Sequence, residues 1–150
     1  MNETGSSPAL FPFFFIALWL GVSAIIAIMG GWTSLAASYP APDGFRVDPG
    51  RRFRFRSIQV RRYWLLPAHY NGVMTIGLGP EGLYLAPFVL FRFVHKPLLI
   101  PWSAISDCDG GSFLWARWVD ITLREEEPTL RVYGDPGEVA WGEWRVRRRR

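Results

Sequence analysis

Two patterns of apolar and polar positions divide the chain. From Leu10 to Met29 the sequence LFPFFFIALWLGVSAIIAIM is apolar on every side, and no charged residue or histidine lies between Glu3 and Asp43. Twenty residues rising about 1.5 Å each cover about 30 Å, the hydrocarbon thickness of a bilayer. In lipid the backbone must satisfy its own hydrogen bonds, so the segment is expected to be a helix. Pro12 falls in its first turn, where a missing N–H costs little, and Gly30-Gly31 marks its end. The pattern predicts a transmembrane helix over 9–31, with Phe11, Phe14, Leu18, Leu20, Val22, Ile25 and Ile28 in the membrane core. Trp32 and Tyr39 are expected at the interface.

Two other readings of this block stay open. A core helix of a soluble protein would need partner surface on every side, and the rest of the chain is small for that. A cleaved signal peptide would use the small residues around Ser34-Leu35-Ala36 or Ala36-Ala37. Its apolar run is usually shorter, and a basic residue usually precedes it.

Beyond a Pro-stiffened linker over 32–50, the apolar period changes to two. Phe53 and Phe55 alternate with Arg52, Arg54 and Arg56, which predicts a strand with one apolar and one basic face. Met74, Ile76 and Leu78 share one side of a second strand, and Gly79-Pro80-Glu81-Gly82 turns it into a third that ends near Pro87. Phe88–Val94 reads as further extended chain, His95-Lys96-Pro97 as a turn, and Leu98–Ile100 as a strand that Pro101 places at an edge. Asp107-Cys108-Asp109-Gly110-Gly111 reads as a polar loop. Val119, Ile121 and Leu123 point inward from the next strand, Glu125-Glu126-Glu127 caps a hairpin, and Leu130 and Val132 return. Asp135–Trp144 is expected to be a short helix, weakened by Gly137 and Gly142. Phe88, Phe91, Phe93, Trp102, Trp115 and Trp118 are expected to fill the core. The fold class is therefore an N-terminal transmembrane helix plus a mainly-β domain, an antiparallel sandwich or partly open barrel with a short C-terminal helix.

Charge adds a direction. No Lys or Arg precedes the apolar block, whereas Arg46, Arg51, Arg52, Arg54, Arg56, Arg61 and Arg62 follow it closely. The positive-inside rule then places the N-terminus outside and the C-terminal domain in the cytoplasm, at the inner membrane. The expected organisation is a tail over 1–8, the span, the linker, a β-domain over 51–146 and a basic tail over 147–150. Ala17 and Gly21, and Ser23, Ala27 and Gly31, recur at the four-residue spacing that lets helices approach, so a homodimer or a membrane-protein partner through the span is a further expectation.

Candidate chemistry is sparse. Cys108 is the only cysteine of the chain, so no intrachain disulfide forms, and with only two histidines no zinc set can be built. His95 with Cys108 is the one pair from which an enzyme could be built, since a thiol nucleophile needs a neighbouring base. The Asp107–Gly111 run opens like a calcium loop, but Ser112 and Trp118 stand where the essential glycine and glutamate belong. Gly77, Gly79 and Gly82 have the GxGxxG spacing, yet Pro80 bars a helix start there. The remaining candidate is the basic stripe Arg52, Arg54, Arg56, Arg61 and Arg62. It suits phosphates of anionic lipid headgroups or of nucleic acid, or serves only topology and solubility. The tether beside a bilayer favours lipid, and no base-reading module accompanies it, so nucleic acid is not expected as a partner. No cofactor is expected.

The segments Gly82-Leu83-Tyr84-Leu85, Phe91-Arg92-Phe93 and Pro97-Leu98-Leu99-Ile100-Pro101-Trp102-Ser103-Ala104-Ile105 resemble the early strands of bacterial pleckstrin-homology-like (PH/GRAM-type) domains. The resemblance covers roughly Arg51 to Tyr133. It implies a seven-stranded bent sandwich closed by a C-terminal helix, and no enzyme activity. Some eukaryotic members bind phosphoinositides, but no such motif is matched here. The expectation is a non-enzymatic, membrane-anchored interaction or scaffolding module. The alternatives are a periplasmic β-domain on an inverted or cleaved segment, and an enzyme using His95 and Cys108.

Overall fold

The computed structural model describes residues 10–62, 67–124 and 128–150. The expected tail over 1–8 and the Glu125–Glu127 cap lie outside these residues. The apolar block forms helix α1, Leu10–Met29, long and apolar enough to cross a membrane. Its side chains are almost all exposed, and Ser23 and Ala27 are the buried ones.

Behind it stands one curled sheet of seven antiparallel strands, with a C-terminal helix. The strands are β1 (Arg52–Arg61), β2 (Ala68–Leu78), β3 (Gly82–Pro87), β4 (Leu98–Pro101), β5 (Ile105–Phe113), β6 (Ala116–Leu123) and β7 (Thr129–Tyr133). Their order is β4-β3-β2-β1-β7-β6-β5. Two meanders therefore meet where β7 returns to β1, pairing Ile58 with Val132 and Val60 with Leu130. The inward residues form one core: Met74, Ile76 and Leu78 from β2, Leu83 and Leu85 from β3, Ile121 from β6 and Leu130 from β7 are all buried. β4 is one of the two edge strands, as Pro101 suggests, and β5 is the other.

Helix α3, Asp135–Arg148, is longer than expected. Gly137 serves contact there, because a Cβ at that position would lie 2.7 Å from the carbonyl oxygen of Val132. Ala140 and Trp144 bury themselves on the sheet, and the Trp144 indole N–H donates to the carbonyl of Ile105 at 3.3 Å. Asp135 and Glu138 sit in the first turn and Arg145, Arg147 and Arg148 in the last, the arrangement the helix dipole favours. Arg147 and Arg148 thus belong to the helix and not to a separate tail.

The segment expected as a linker is partly core. Trp32–Ser38 forms a short helix, α2, that turns back onto the sheet, and Trp32 and Leu35 are fully buried. The Trp32 indole N–H donates to the Lys96 carbonyl at 3.0 Å, and its ring packs against Tyr70 at 5.3 Å and His95 at 5.7 Å. Trp32 is therefore a core residue and not an interface anchor. Past α2 the chain runs along the β4 edge, where Leu99 N–H donates to Tyr39 and Ala41 N–H to Pro97, each at 3.0 Å. The joint between α1 and the domain is narrow. A Cβ at Gly30 would collide with that of Ala68, and one at Gly31 with Pro128 and Arg62. The Ser23, Ala27 and Gly31 row is consequently occupied by the chain's own domain, while Ala17 and Gly21 stay exposed.

Candidate functional site: an arginine-lined cleft

The basic stripe expected on β1 does not form one face. Phe53 stands opposite Ile76 and Arg56 opposite Met74, so one extra residue is inserted between them on β1. Phe55 takes φ 54°, a left-handed conformation that is unusual for a bulky residue. This bulge changes the parity of the strand. Arg52 stays on the outer face. Phe55, expected to be inward, is 69% exposed. Arg56 turns to the core side, with its guanidinium carbon 5.8 Å from the Phe53 ring centre and its Nε buried without a hydrogen-bond partner. Arg61 lies further along, beside Asp120, Thr129 and Arg131. Arg62 packs against Gly31 at the end of α1.

A different set of arginines comes together instead. The segment 41–47 crosses the outer face of β2 and β3, held by Val47 against Gly77 and by Phe45, whose ring lies 5.4 Å from that of Tyr84. Between this segment, the start of β1 and the β3–β4 loop lies a cleft of about 550 Å³. Arg46, Arg52, Arg54 and Arg92 line it, and Asp43 is the one carboxylate among its lining residues. Among the described residues none of these four arginines makes an ion pair; the Arg92 Nε–H donates to the carbonyl of Pro87 at 3.1 Å. The outer end of the cleft is apolar, formed by Phe55, Phe88 and Val89. Arg46 and Arg92 were missed as site residues because Arg46 lies off the strand, on the segment that folds across β2 and β3, and Arg92 lies in the distant β3–β4 loop.

Several expected core residues lie outside the core. Val89–Phe91 is a 3-10 turn, not a strand. Phe88 and Phe93 are exposed, as is Trp115 at the tip of the β5–β6 hairpin. Phe91 and Trp118 are half-buried, and Trp102 is buried with its indole N–H donating to the Gly79 carbonyl at 2.9 Å. The Asp107–Gly111 run is strand β5, paired from Cys108 opposite Ile121 to Gly111 opposite Trp118.

His95 and Cys108 are not brought into partnership. The Nε2 of His95 is 3.1 Å from the Tyr70 hydroxyl, and burial lowers the imidazole pKa. Cys108 is buried on β5, where desolvation, helped by the Asp107 carboxylate, pushes its thiol up to about 12. At neutral pH such a thiol holds its proton, the form least suited to attack. No group of three or more metal-ligating side chains occurs among the described residues. Compared with protein-family models and with curated proteins, the chain matches none.

Proposed function

We propose that this protein is a non-catalytic, membrane-anchored interaction module. In this reading α1 crosses the inner membrane with its N-terminus outside, and a PH-like β-domain docks against the cytoplasmic leaflet. The arginine cleft takes the phosphates of anionic headgroups. The observation that carries the reading is the cluster of Arg46, Arg52, Arg54 and Arg92, unpaired and gathered beside exposed Phe55, Phe88 and Val89. Unpaired guanidiniums offer their donors to phosphate, and apolar neighbours suit the acyl region just beneath.

Further support comes from α1. An all-apolar helix whose side chains are nearly all exposed needs an apolar surrounding, which a soluble core would have supplied by burying it. The seven antiparallel strands followed by a closing helix support the PH-like part. The basic residues downstream of α1 support the orientation.

The test uses the full chain extracted from mixed phosphatidylglycerol and phosphatidylcholine bilayers. Lipids that remain bound are counted by native mass spectrometry. Phosphatidylglycerol should be retained preferentially, and the double variant Arg52→Gln/Arg54→Gln should lose that preference. At about 1 kcal/mol per basic residue near an anionic surface, the pair accounts for roughly 30-fold in affinity. Equal retention of both lipids by the unmodified chain would sink the reading.

A further inference from the structure

The β3–β4 loop has an unusual combination of features. It presents Phe88, Val89, Leu90 and Phe93 to the outside, with Phe93 84% exposed. Phe55 extends this surface, its ring centre 6.4 Å from that of Phe88. An exposed apolar patch of this kind on a soluble face would invite association.

Its position relative to α1 identifies the occupant. Phe91, in the middle of the loop, packs on Trp19, with ring centres 5.3 Å apart. Trp19 is near the middle of α1, about 15 Å along the axis from Met29 at about 1.5 Å per residue. The loop therefore lies beside the body of the apolar helix and not at its end. Whatever surrounds that half of α1 also meets the loop.

Much of the loop's backbone is satisfied by protein, although the N–H groups of Val89, Leu90 and Phe93 have no backbone partner among the described residues. The Phe88 N–H donates to Val73 at 2.7 Å, Phe91 to Phe88 at 2.9 Å, Arg92 to Val89 and Val94 to Phe91 at 3.2 Å, and His95 to Phe91 at 2.9 Å. Non-helical backbone at membrane depth is best tolerated where protein satisfies its polar groups, as it does at both ends of this loop. Arg92, next to the apolar side chains, donates its Nε–H to the carbonyl of Pro87 at 3.1 Å, so part of its guanidinium is satisfied by protein.

We propose that residues 88–93 sit in the hydrocarbon of the inner leaflet, packed alongside α1, so that the β-domain is partly embedded and does not stand off on a tether. This rests on the reading that α1 crosses the bilayer, and the test separates the two.

Single cysteines are placed at Leu90, at Ile25 on α1 and at Phe113 on the β5–β6 hairpin, each in the full chain carrying Cys108→Ala and bearing a nitroxide. The protein is reconstituted into phosphatidylglycerol/phosphatidylcholine vesicles, and collision with oxygen is compared with collision with a water-soluble nickel chelate. Circular dichroism of each variant checks that the sheet is retained. The proposal expects the oxygen-to-nickel ratio at Leu90 to match that at Ile25 and to exceed that at Phe113 several-fold. A ratio at Leu90 like that at Phe113, with Ile25 still oxygen-rich, overturns the embedding but leaves the span. A water-like ratio at Ile25 overturns the span itself. Shielding of Leu90 from both reagents shows that protein and not lipid covers this side chain, which also overturns the proposal.

Discussion

Arginine behaves differently on the two sides of this sheet. Around α3 the guanidiniums have partners. Arg51 and Arg147 share Glu143, Arg117 reaches Glu138 at 2.6 Å, and Arg145 and Arg148 lie over Trp141 and Trp144 at 4.4 and 4.9 Å. In the cleft on the outer face of β1–β3, Arg46, Arg52, Arg54 and Arg92 have no carboxylate partner, and their neighbours include exposed phenylalanines. Around α3 these five guanidiniums are engaged within the fold. In the cleft the charge is left for something outside. Net charge alone could not distinguish these two uses of one residue type.

The largest effect should come from separating α1 from the sheet. Trp32→Ala removes a fully buried indole, its hydrogen bond to Lys96 and its packing on Tyr70 and His95. The loss should be about 3–5 kcal/mol, read from denaturant unfolding of the full chain in bicelles. If the chain with alanine at this position unfolds like the original, α2 does not hold the domain to α1. On the opposite side, Gly137→Val forces a side chain into the β7 backbone and should cost about 1–3 kcal/mol in the same assay.

A pH change should act on one side before the other. Burial lowers the pKa of His95, so the folded chain resists a proton that the unfolded chain accepts below about 6.5. Stability should therefore fall as pH drops below that value. Glu143 has a lowered pKa, chiefly through Arg147, and its contribution is present above about 4.5 and lost only as pH falls below it. Between pH 7 and 5, the protection factor of the Tyr39 amide, the last hydrogen bond of α2, should fall while protection factors in α3 hold steady. His95→Gln should remove that difference.

The smallest effects concern single charges. Glu143→Gln unpairs Arg51 and Arg147 and should cost up to about 1 kcal/mol, less in high salt. Arg54→Gln breaks no ion pair and should leave the unfolding midpoint unchanged. A comparable loss from both would erase the contrast between the two sides.

Much of the fold was legible because its periods are clean. The apolar block gave the bounds of α1, and the alternations of β2, β6 and β7 gave their inward residues. The illegible parts have specific physical causes. Phe55 adopts a left-handed conformation that nothing in an Arg-Phe alternation announces, and one inserted residue then redirects Arg56. Phe88–Phe93 is apolar enough for a strand but turns into a 3-10 loop beside α1. Gly110 and Gly111 look like turn residues, yet they lie in β5 because Trp141 and Trp118 fill the space their side chains would take. Trp32 had the position of an interface aromatic, and only the fold-back of α2 brings it to Tyr70. Of the cleft, Arg52 and Arg54 were legible from β1, whereas Arg46 and Arg92 depend on tertiary structure.

The central claim is that the cleft side of the sheet, and not the α3 side, faces the bilayer. Energy transfer from a single label to acceptors at the membrane surface measures this directly in the full chain in nanodiscs. One label is placed at Phe55 beside the cleft and another at Val146 on α3, each through a cysteine in the Cys108→Ala background. The account predicts markedly greater transfer from position 55 than from 146. Equal transfer, or greater transfer from position 146, would contradict it.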